Sequence, residues 1–150
     1  MLMAEMNDAK AYLQQLKDLS DSIDDKQEEI DMLYARMTKI TPTLKLVAVS
    51  GGGGNNDSIG NGIAKLECLR QEINDEIDRY IDLKREINAV IAAVKSEKYR
   101  TLLRKRYVLF KTWEQIACEM DISYQWVCKL HGRALQVVDK MLFSEKNANS

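Results

Sequence analysis

The apolar residues of the first forty positions repeat with the period of a coiled-coil helix. From about residue 5 to residue 40 they recur every three or four positions, which places them on one stripe of a helix. Ser20 and Gln27 fall on this stripe and interrupt it. Pro42 disfavours helical geometry in the residue before it, so we expect the helix to end there. The stripe consists of Met6, Ala9, Leu13, Leu16, Ile23, Ile30, Tyr34 and Met37, broadened by Leu19, Leu33 and Ile40.

A second apolar stripe with the same period predicts a helix from about residue 58 to residue 94. Arg70 and Lys84 occupy stripe positions, where their aliphatic stems can cover a core while their charges reach water. At about 1.5 Å per residue, both helices measure roughly 55 Å. Helices of equal length favour an antiparallel hairpin. The second stripe consists of Ile59, Ile63, Leu66, Ile73, Ile77, Tyr80, Ile87, Ile91 and Val94.

The segment between the two stripes, residues 43–62, has no helical period and is rich in Gly, Asn and Ser. Four consecutive glycines followed by two asparagines favour a flexible linker. The stripes are broader than one helix pair can cover, so we expect a second copy to pack against the hairpin as a homodimer with a four-helix core. The sequence leaves open whether each hairpin closes within one chain or between two.

The last third of the chain has the pattern of short packed helices. A helix is predicted over about residues 97–109, with Tyr99, Leu102, Leu103, Tyr107 and Phe110 on its inner side. Thr112 and Gln115 then have the spacing of a capping box, which marks the start of a further helix. Ile116, Ala117 and Met120 form the apolar face of that helix.

A turn and a second helix follow at once. Asp121, Ile122 and Ser123 predict the turn, with Ser123 as the cap of the next helix. Val127, Leu130 and Ala134 recur at three- and four-residue spacing and would face the preceding helix. The segment 112–135 therefore has the spacing of a DNA-binding helix-turn-helix.

Residues on the outward side of the second helix are candidates for contacting DNA bases. Gln125 can pair with adenine, Lys129 can reach guanine acceptors, and Tyr124 can contact a thymine methyl group or a phosphate. Together with Cys128, these residues are the predicted base contacts. Contacts to the DNA backbone are predicted from the surrounding cations and hydroxyls, namely Arg104, Lys105, Lys111, Thr112, Ser123 and Arg133.

The formal net charge of −1 hides an uneven distribution. Residues 1–94 contain 11 Lys and Arg against 17 Asp and Glu, a net charge of −6, whereas residues 95–150 contain 11 against 6, a net charge of +5. The first part would repel phosphate and the second would attract it. We therefore predict an oligomerisation region over 1–94, a DNA-binding domain over 95–143 and a frayed tail over 144–150.

The sequence contains no complete motif for a phosphate-binding loop, a structural zinc site or a catalytic triad. The four glycines lack the Gly-Lys-Ser/Thr of a phosphate-binding loop. Cys118, Cys128 and His131 supply at most three of the four ligands of a structural zinc site. His131 is the only histidine, and the sequence shows neither a Ser-His-Asp arrangement nor a pocket-forming α/β pattern. We expect no enzymatic activity, no cofactor, no metal and no small-molecule substrate.

The segment from Tyr99 to Leu142 resembles region 4 of the sigma-70 family of transcription factors. The resemblance lies in an L-x-x-R-Y-like helix end followed by an EIA…ISxxxVxxLxxRAL-like pattern. It departs from that family at Tyr124 and Trp126, where Arg or another polar residue is usual, and the chain lacks the region that melts the promoter. The matching residues are Leu103, Arg106, Tyr107, Glu114, Ile116, Ala117, Ile122, Ser123, Val127, Leu130, Arg133, Ala134 and Leu135.

The chain as a whole is similar to small phage and mobile-element proteins of Gram-positive bacteria, including late-gene regulators of the ArpU type. The resemblance implies an all-α fold with a long antiparallel helical hairpin followed by a sigma region 4-like helix-turn-helix. It also implies a sequence-specific regulator of transcription that binds double-stranded DNA, with RNA polymerase as a further candidate partner. Three cysteines without a CxxC pair, no apolar signal segment and no run of the ~18–20 apolar residues of a membrane span predict a cytoplasmic protein. The expected binding to DNA would place it at the nucleoid of a bacterial host cell.

Three other functions are compatible with the same pattern. A phage DNA-packaging factor of the small terminase subunit type also joins a helix-turn-helix to an oligomerising helical region, but forms a ring. A protein-interaction module would bind RNA polymerase or another protein without contacting bases. A structural coiled-coil protein with a vestigial module would have no salt-dependent affinity for DNA.

Overall fold

The computed structural model describes the backbone of residues 2–48 and 56–149 and the side chains of residues 8–39 and 59–149. This part of the chain is all-helical and contains no strand, which confirms the predicted all-α class. No helix in these ranges is long and apolar enough to cross a membrane. The elements are α1 (Leu2–Ala48), α2 (Asn56–Ala92), α3 (Glu97–Leu103), a π-helical segment (Arg104–Val108), α4 (Trp113–Met120) and α5 (Tyr124–Ala148).

The predicted linker over residues 43–62 is wrong at both of its ends. Helix α1 continues past Pro42 to Ala48, and α2 begins at Asn56. A proline removes one backbone donor and disturbs one turn, but the hydrogen bonds before and after it can persist in a long helix. Gly62 lies within α2, where an added Cβ would be 3.2 Å from Sδ of Met37. This glycine therefore permits close helix packing, and residues 49–55 lie outside the described part of the chain.

The predicted frayed tail over residues 144–150 is also wrong for most of its length, because α5 extends to Ala148. The Ser144 hydroxyl donates to the carbonyl of Lys140 over 2.9 Å, within the last part of the helix. Just before it, Met141 and Leu142 pack against a buried core. This packing stabilises the end of α5 beyond what its polar sequence suggests.

The chain divides into two compact units, one formed by Met1–Leu19 with Tyr80–Ser150 and the other by Ser20–Arg79. This division differs from the predicted boundary between residues 94 and 95. The end of α2 belongs with the C-terminal helices because its apolar side chains share their core. That core contains Ala9, Leu13, Leu16, Ile87, Ile91, Val94, Leu103, Tyr107, Ala134, Leu135 and Val138.

The 20–79 unit pairs a segment of α1 with a segment of α2. Ser22 and Lys26 of α1 bond to Glu76 of α2 over 3.0 and 2.6 Å, and Lys26 also lies 3.5 Å from Glu72. Because the contacts advance along α1 as they recede along α2, the two segments are antiparallel. The core of this unit consists of Ile30, Leu66, Leu69 and Ile73, with Ile23 and Leu33 packed against it.

The predicted stripes are only partly buried in the 20–79 unit. Tyr34 is 61% exposed, Ile63 is 53% exposed and Ile77 is 39% exposed, whereas Leu69, which was not assigned to a stripe, is buried. The seven-residue period of the sequence assigned Ile63 and Ile77 to the buried side of α2. The side that is buried is instead formed by Leu66, Leu69 and Ile73. An aliphatic edge of the helix is consequently left in contact with solvent.

Candidate nucleic-acid interface

Helix α4 begins at the predicted capping box. The backbone N–H of Gln115 donates to Oγ1 of Thr112 over 3.2 Å, and the backbone N–H of Thr112 donates to Oε1 of Gln115 over 3.0 Å. Two backbone donors that the helix itself cannot satisfy are thus bonded. A cap of this kind stabilises a helix by about 1 kcal/mol, which matters for a helix as short as α4.

The turn from α4 to α5 is built as its three residues predicted. Asp121 has φ 55°, the left-handed conformation that ends a helix. The N–H of Ile122 donates back to the carbonyl of Ala117 over 3.1 Å. Ser123 then caps α5, since its Oγ accepts from the N–H of Trp126 over 3.1 Å. The direction in which α5 leaves the turn is therefore set by local hydrogen bonds.

The inner side of α5 is fixed by a small apolar core shared with α3 and α4. Leu102, Ile116 and Val127 are fully buried, and Leu130 is 4% exposed. Partly buried side chains complete the cluster: Tyr99, Trp113, Ala117, Met120 and Ile122. With Val127 and Leu130 held inward, the rotation of α5 about its axis is determined, and so is the set of residues on its outer side.

The four residues predicted to contact bases lie together on the outer side of the first two turns of α5. Tyr124 is 47% exposed, and Gln125, Cys128 and Lys129 are exposed as well. We call these four residues the α5 outer face. The face offers a phenol, an amide, a thiol and an ammonium group, all attached to one rigid element.

Trp126 lies beside the α5 outer face. The residue is 38% exposed, and the guanidinium of Arg133 lies 5.4 Å from the centroid of its ring. This contact leaves the predicted backbone-contacting cation Arg133 at the surface, where it is exposed. Trp126 therefore packs with a neighbouring cation at the edge of α5.

The predicted backbone-contacting residues divide into two groups in the structure. Arg104 is exposed, whereas Lys105 and Lys111 both pair with Glu119 of α4, Lys105 over 3.5 Å. The hydrogen bond from Lys111, followed by the charge of Lys105, holds the pKa of the Glu119 carboxyl below its usual value. The sequence does not indicate that Glu119 pairs with these two lysines, because the pairing depends on how α4 packs against the π-helical segment.

The hydroxyls of Thr112 and Ser123 are already used as helix caps. Each accepts a hydrogen bond from a backbone N–H within its own helix. Both residues are exposed, so a second contact to a phosphate oxygen is sterically open to them. Their first role is nevertheless to shape the helix ends.

A stack of aromatic and cationic side chains holds the connection into α4. The guanidinium of Arg106 lies 4.2 Å from the ring centroid of Trp113, and that ring lies 4.5 Å from the ring of His131. Arg106 also donates to the carbonyl of Lys111 over 3.0 Å. Phe110 takes a left-handed φ of 57° in the same connection. The stack thus fixes the path from the π-helical segment to α4.

The imidazole of His131 is neutral in this environment. Burial, together with the nearby charges of Lys10 and Arg106, lowers the pKa of His131 to about 4. Its Nε2 lies 2.6 Å from the hydroxyl of Tyr107, and burial raises the pKa of that phenol to about 12. The Tyr107 hydroxyl keeps its proton and can donate it to Nε2 of the neutral ring. These groups serve to position α4 and α5.

The chain matches the model of one protein family, described as "Protein of unknown function (DUF1492)", over residues 39–139. The matched range includes the capping box, the turn and the whole α5 outer face. No curated protein and no solved structure matches the chain.

Proposed function

The chain belongs to the DUF1492 family of proteins of unknown function, and we propose that it is a sequence-specific DNA-binding regulator of transcription. The observation that carries the proposal is the grouping of Tyr124, Gln125, Cys128 and Lys129 on the outer side of the first two turns of α5. Helix-turn-helix proteins place this part of their second helix in the major groove.

In the proposed complex, α4 and α5 form the helix-turn-helix, and α5 enters the major groove. Gln125 pairs with the adenine edge, Lys129 reaches guanine N7 or O6, and Tyr124 contacts a thymine methyl group. Cys128 lies between them as a small group that lets the helix approach closely. Discrimination between bases then arises from a few side chains on one helix.

Affinity would come mainly from contacts to phosphates. Arg104 and Arg133 are exposed cations on either side of the α5 outer face in sequence. The positive end of the α5 dipole, at Ser123, also favours a phosphate. The net charge of +5 over residues 95–150 supports the same orientation, because the rest of the chain carries a net charge of −6.

The proposed regulator is a homodimer whose hairpin of α1 and α2 oligomerises while its C-terminal helices bind DNA. Two copies would then contact two half-sites. By its resemblance to sigma region 4 and to phage late-gene regulators, we propose that the regulated genes are those of a phage or mobile element. The same resemblance makes nucleoid association in a bacterial cytoplasm part of the proposal.

The test is selection of bound fragments from randomised duplex DNA by the purified protein. A Gln125→Ala/Lys129→Ala variant removes two proposed base contacts. A Gln136→Ala/Lys140→Ala variant is the matched control, because it removes the same residue types at the same spacing from the exposed surface of the same helix. Wild type and control are expected to enrich one common motif. Since each paired base contact contributes about 1–3 kcal/mol of discrimination, the first variant should lose that enrichment.

Enrichment of no motif by the wild type, or of the same motif by Gln125→Ala/Lys129→Ala, would contradict the proposal. The second candidate function is a module that binds RNA polymerase or another protein, and it is favoured by the exposed ring of Trp126. For such a module, Trp126→Ala would abolish partner binding while substitutions at Gln125 and Lys129 would have no effect. A DNA-packaging protein would instead assemble as a ring, which its mass in solution would reveal.

A further inference from the structure

Trp126 and Arg133 are paired along one edge of α5. They are seven residues apart, which is close to two full helical turns, so both lie on the same side of the helix. The guanidinium of Arg133 lies 5.4 Å from the centroid of the Trp126 ring, within the range of a cation–π contact. Lys129 lies one turn before Arg133, so the pair borders the α5 outer face.

Trp126 is held in place by the start of α5 and by its apolar neighbours. Its backbone N–H donates to Oγ of Ser123 over 3.1 Å, which fixes the residue in the first turn of the helix. Its side chain lines a cleft together with Met120, Ile122 and Leu130, of which Leu130 is buried. The ring is therefore a defined surface on which a neighbouring side chain can rest.

Arg133 differs from the cations near α4 in the kind of group that holds it. Lys105 and Lys111 both pair with the Glu119 carboxylate, which offsets their charge as it holds them. Among the residues whose side chains are described, Arg133 forms no ion pair. An aromatic ring attracts a cation without neutralising it. Arg133 is thus held while it keeps its full charge for an external anion.

A guanidinium in this arrangement is suited to a phosphate. Its planar fork can donate two parallel hydrogen bonds to phosphate oxygens while its face stacks on an aromatic ring. An arginine side chain that moves freely loses rotamer freedom when it binds. Arg133 has already lost part of that freedom against the ring, so less remains to be lost when a phosphate arrives.

We propose that Trp126 is a positioning residue, which holds Arg133 for contact with a DNA phosphate at the edge of the major groove. The inference rests on the proposed function and deepens it, by assigning a role to a residue that touches neither base nor phosphate. It differs from the second candidate function, in which Trp126 itself contacts a partner protein, because here the ring acts only through Arg133.

A double-mutant cycle tests whether Trp126 acts through Arg133. Fluorescence anisotropy gives the affinity of the full chain for duplex DNA, both of the selected sequence and of an unrelated one, because a phosphate contact does not depend on the bases. Trp126→Leu should weaken binding roughly two- to fivefold, as expected for the loss of an exposed cation–π contact. In an Arg133→Gln background the same substitution should have no further effect.

Two further variants are controls for the cycle. Trp126→Phe keeps an aromatic face and should retain most of the affinity that Trp126→Leu loses. Arg104→Gln removes another exposed cation that is proposed to contact phosphate. In that background Trp126→Leu should weaken binding as much as it does in the wild type, because the ring holds Arg133 and not Arg104. Circular dichroism checks that each variant remains helical.

The salt dependence of binding separates a lost phosphate contact from a loosened one. Arg133→Gln removes a contact and should reduce the slope of log K against log salt by about 0.9 in magnitude. Trp126→Leu keeps the charge of Arg133, so the slope should stay near that of the wild type while the affinity falls. A structural role of Trp126 alone would not give this split.

The contact between the two side chains can be observed without DNA. The ring current of Trp126 should shift the Nε–H proton of Arg133, which is identified by its absence from the NMR spectrum of Arg133→Gln. Trp126→Leu should return this proton to its ordinary position. An ordinary position in the wild type would overturn the positioning role.

The remaining outcomes distinguish this inference from the proposed function. If Trp126→Leu weakens binding equally with and without Arg133, the inference is overturned, and an enriched motif would leave the proposed function standing. Coupling of the two residues on duplexes of any sequence, with no enriched motif, would retain the inference and remove the sequence-specific function. Absence of binding to any duplex would overturn the phosphate contact together with the proposed function, even if the ring-current shift were present.

Discussion

At the scale of single residues, His131 is a partly buried titratable side chain two positions beyond the α5 outer face in sequence. It lies against the rings of Trp113 and Tyr107, and its Nε2 is within hydrogen-bonding distance of the Tyr107 hydroxyl. Protonation would add a charge beside Arg106, which already stacks on Trp113. The neutral ring is therefore part of what holds α4 and α5 together.

This environment predicts how His131 titrates. Its folded pKa of about 4 lies below the ordinary value of 6.5, so the unfolded chain takes up a proton before the folded chain does. The resulting stability is fully present above pH 6.5 and is lost as the pH falls towards 4. After allowance for partial solvent exposure, the loss should be on the order of 1–2 kcal/mol.

Because His131 is the only histidine, its ring protons can be followed by NMR without assignment of other histidines. The midpoint is expected near pH 4, and denaturant unfolding of a His131→Phe variant should show a smaller loss of stability between pH 6.5 and 4.5 than the wild type. A midpoint near 6.5 would show that the ring is solvated and would contradict this description.

Residue spacing predicted the outward position of Tyr124, Gln125 and Lys129 because a single helix determines it. The same reasoning could not predict that Lys105 and Lys111 share Glu119. That arrangement depends on the packing of α4 against the π-helical segment, which has no sequence signature in this chain. The stack of Arg106 on Trp113 is likewise a tertiary contact.

At the scale of elements, Glu119 links α4 to the segment that precedes it. In the proposed complex this carboxylate competes with phosphates for two cations. Glu119→Gln should release Lys105 and Lys111, strengthen binding to DNA of any sequence and steepen its salt dependence. If both lysines gain phosphate contacts, the slope of log K against log salt should change by up to about −1.8.

The measurement is a fluorescence anisotropy titration at several salt concentrations. Glu114→Gln is the control, because it removes the same charge from an exposed position on the same helix. Equal effects of the two substitutions would mean that only the net charge matters. Such a result would contradict the proposal that the Glu119 carboxylate competes with DNA phosphates for Lys105 and Lys111.

Elements were predicted most reliably where local hydrogen bonds define them. The capping box at Thr112 and the turn from Asp121 to Ser123 are confirmed because their bonds join residues close in sequence. The predicted linker over residues 43–62 is wrong at its two ends, because α1 continues past Pro42 to Ala48 and α2 begins at Asn56. Gly62 is next to Met37 of another helix, and no local pattern indicates that contact.

At the scale of the whole molecule, charge and packing divide the chain differently. Charge changes sign between residues 94 and 95, whereas the compact unit that contains α5 also includes residues 1–19 and 80–94. Within this unit the N–H of Ala9 donates to Asp139 of α5 over 2.9 Å. One continuous helix thus carries the α5 outer face at its beginning and contacts α1 through Asp139, further along the same helix.

If the α5 outer face binds DNA, its thiol should be shielded in the complex, and the three native cysteines allow a direct test. All three are exposed, but only Cys128 belongs to that face, while Cys68 lies in the 20–79 unit. We would measure alkylation rates of each thiol by mass spectrometry with and without a saturating duplex of the selected sequence. DNA is expected to slow alkylation of Cys128 several-fold and to leave that of Cys68 unchanged. Alkylation of Cys128 at the same rate in saturating DNA would contradict DNA binding by the α5 outer face.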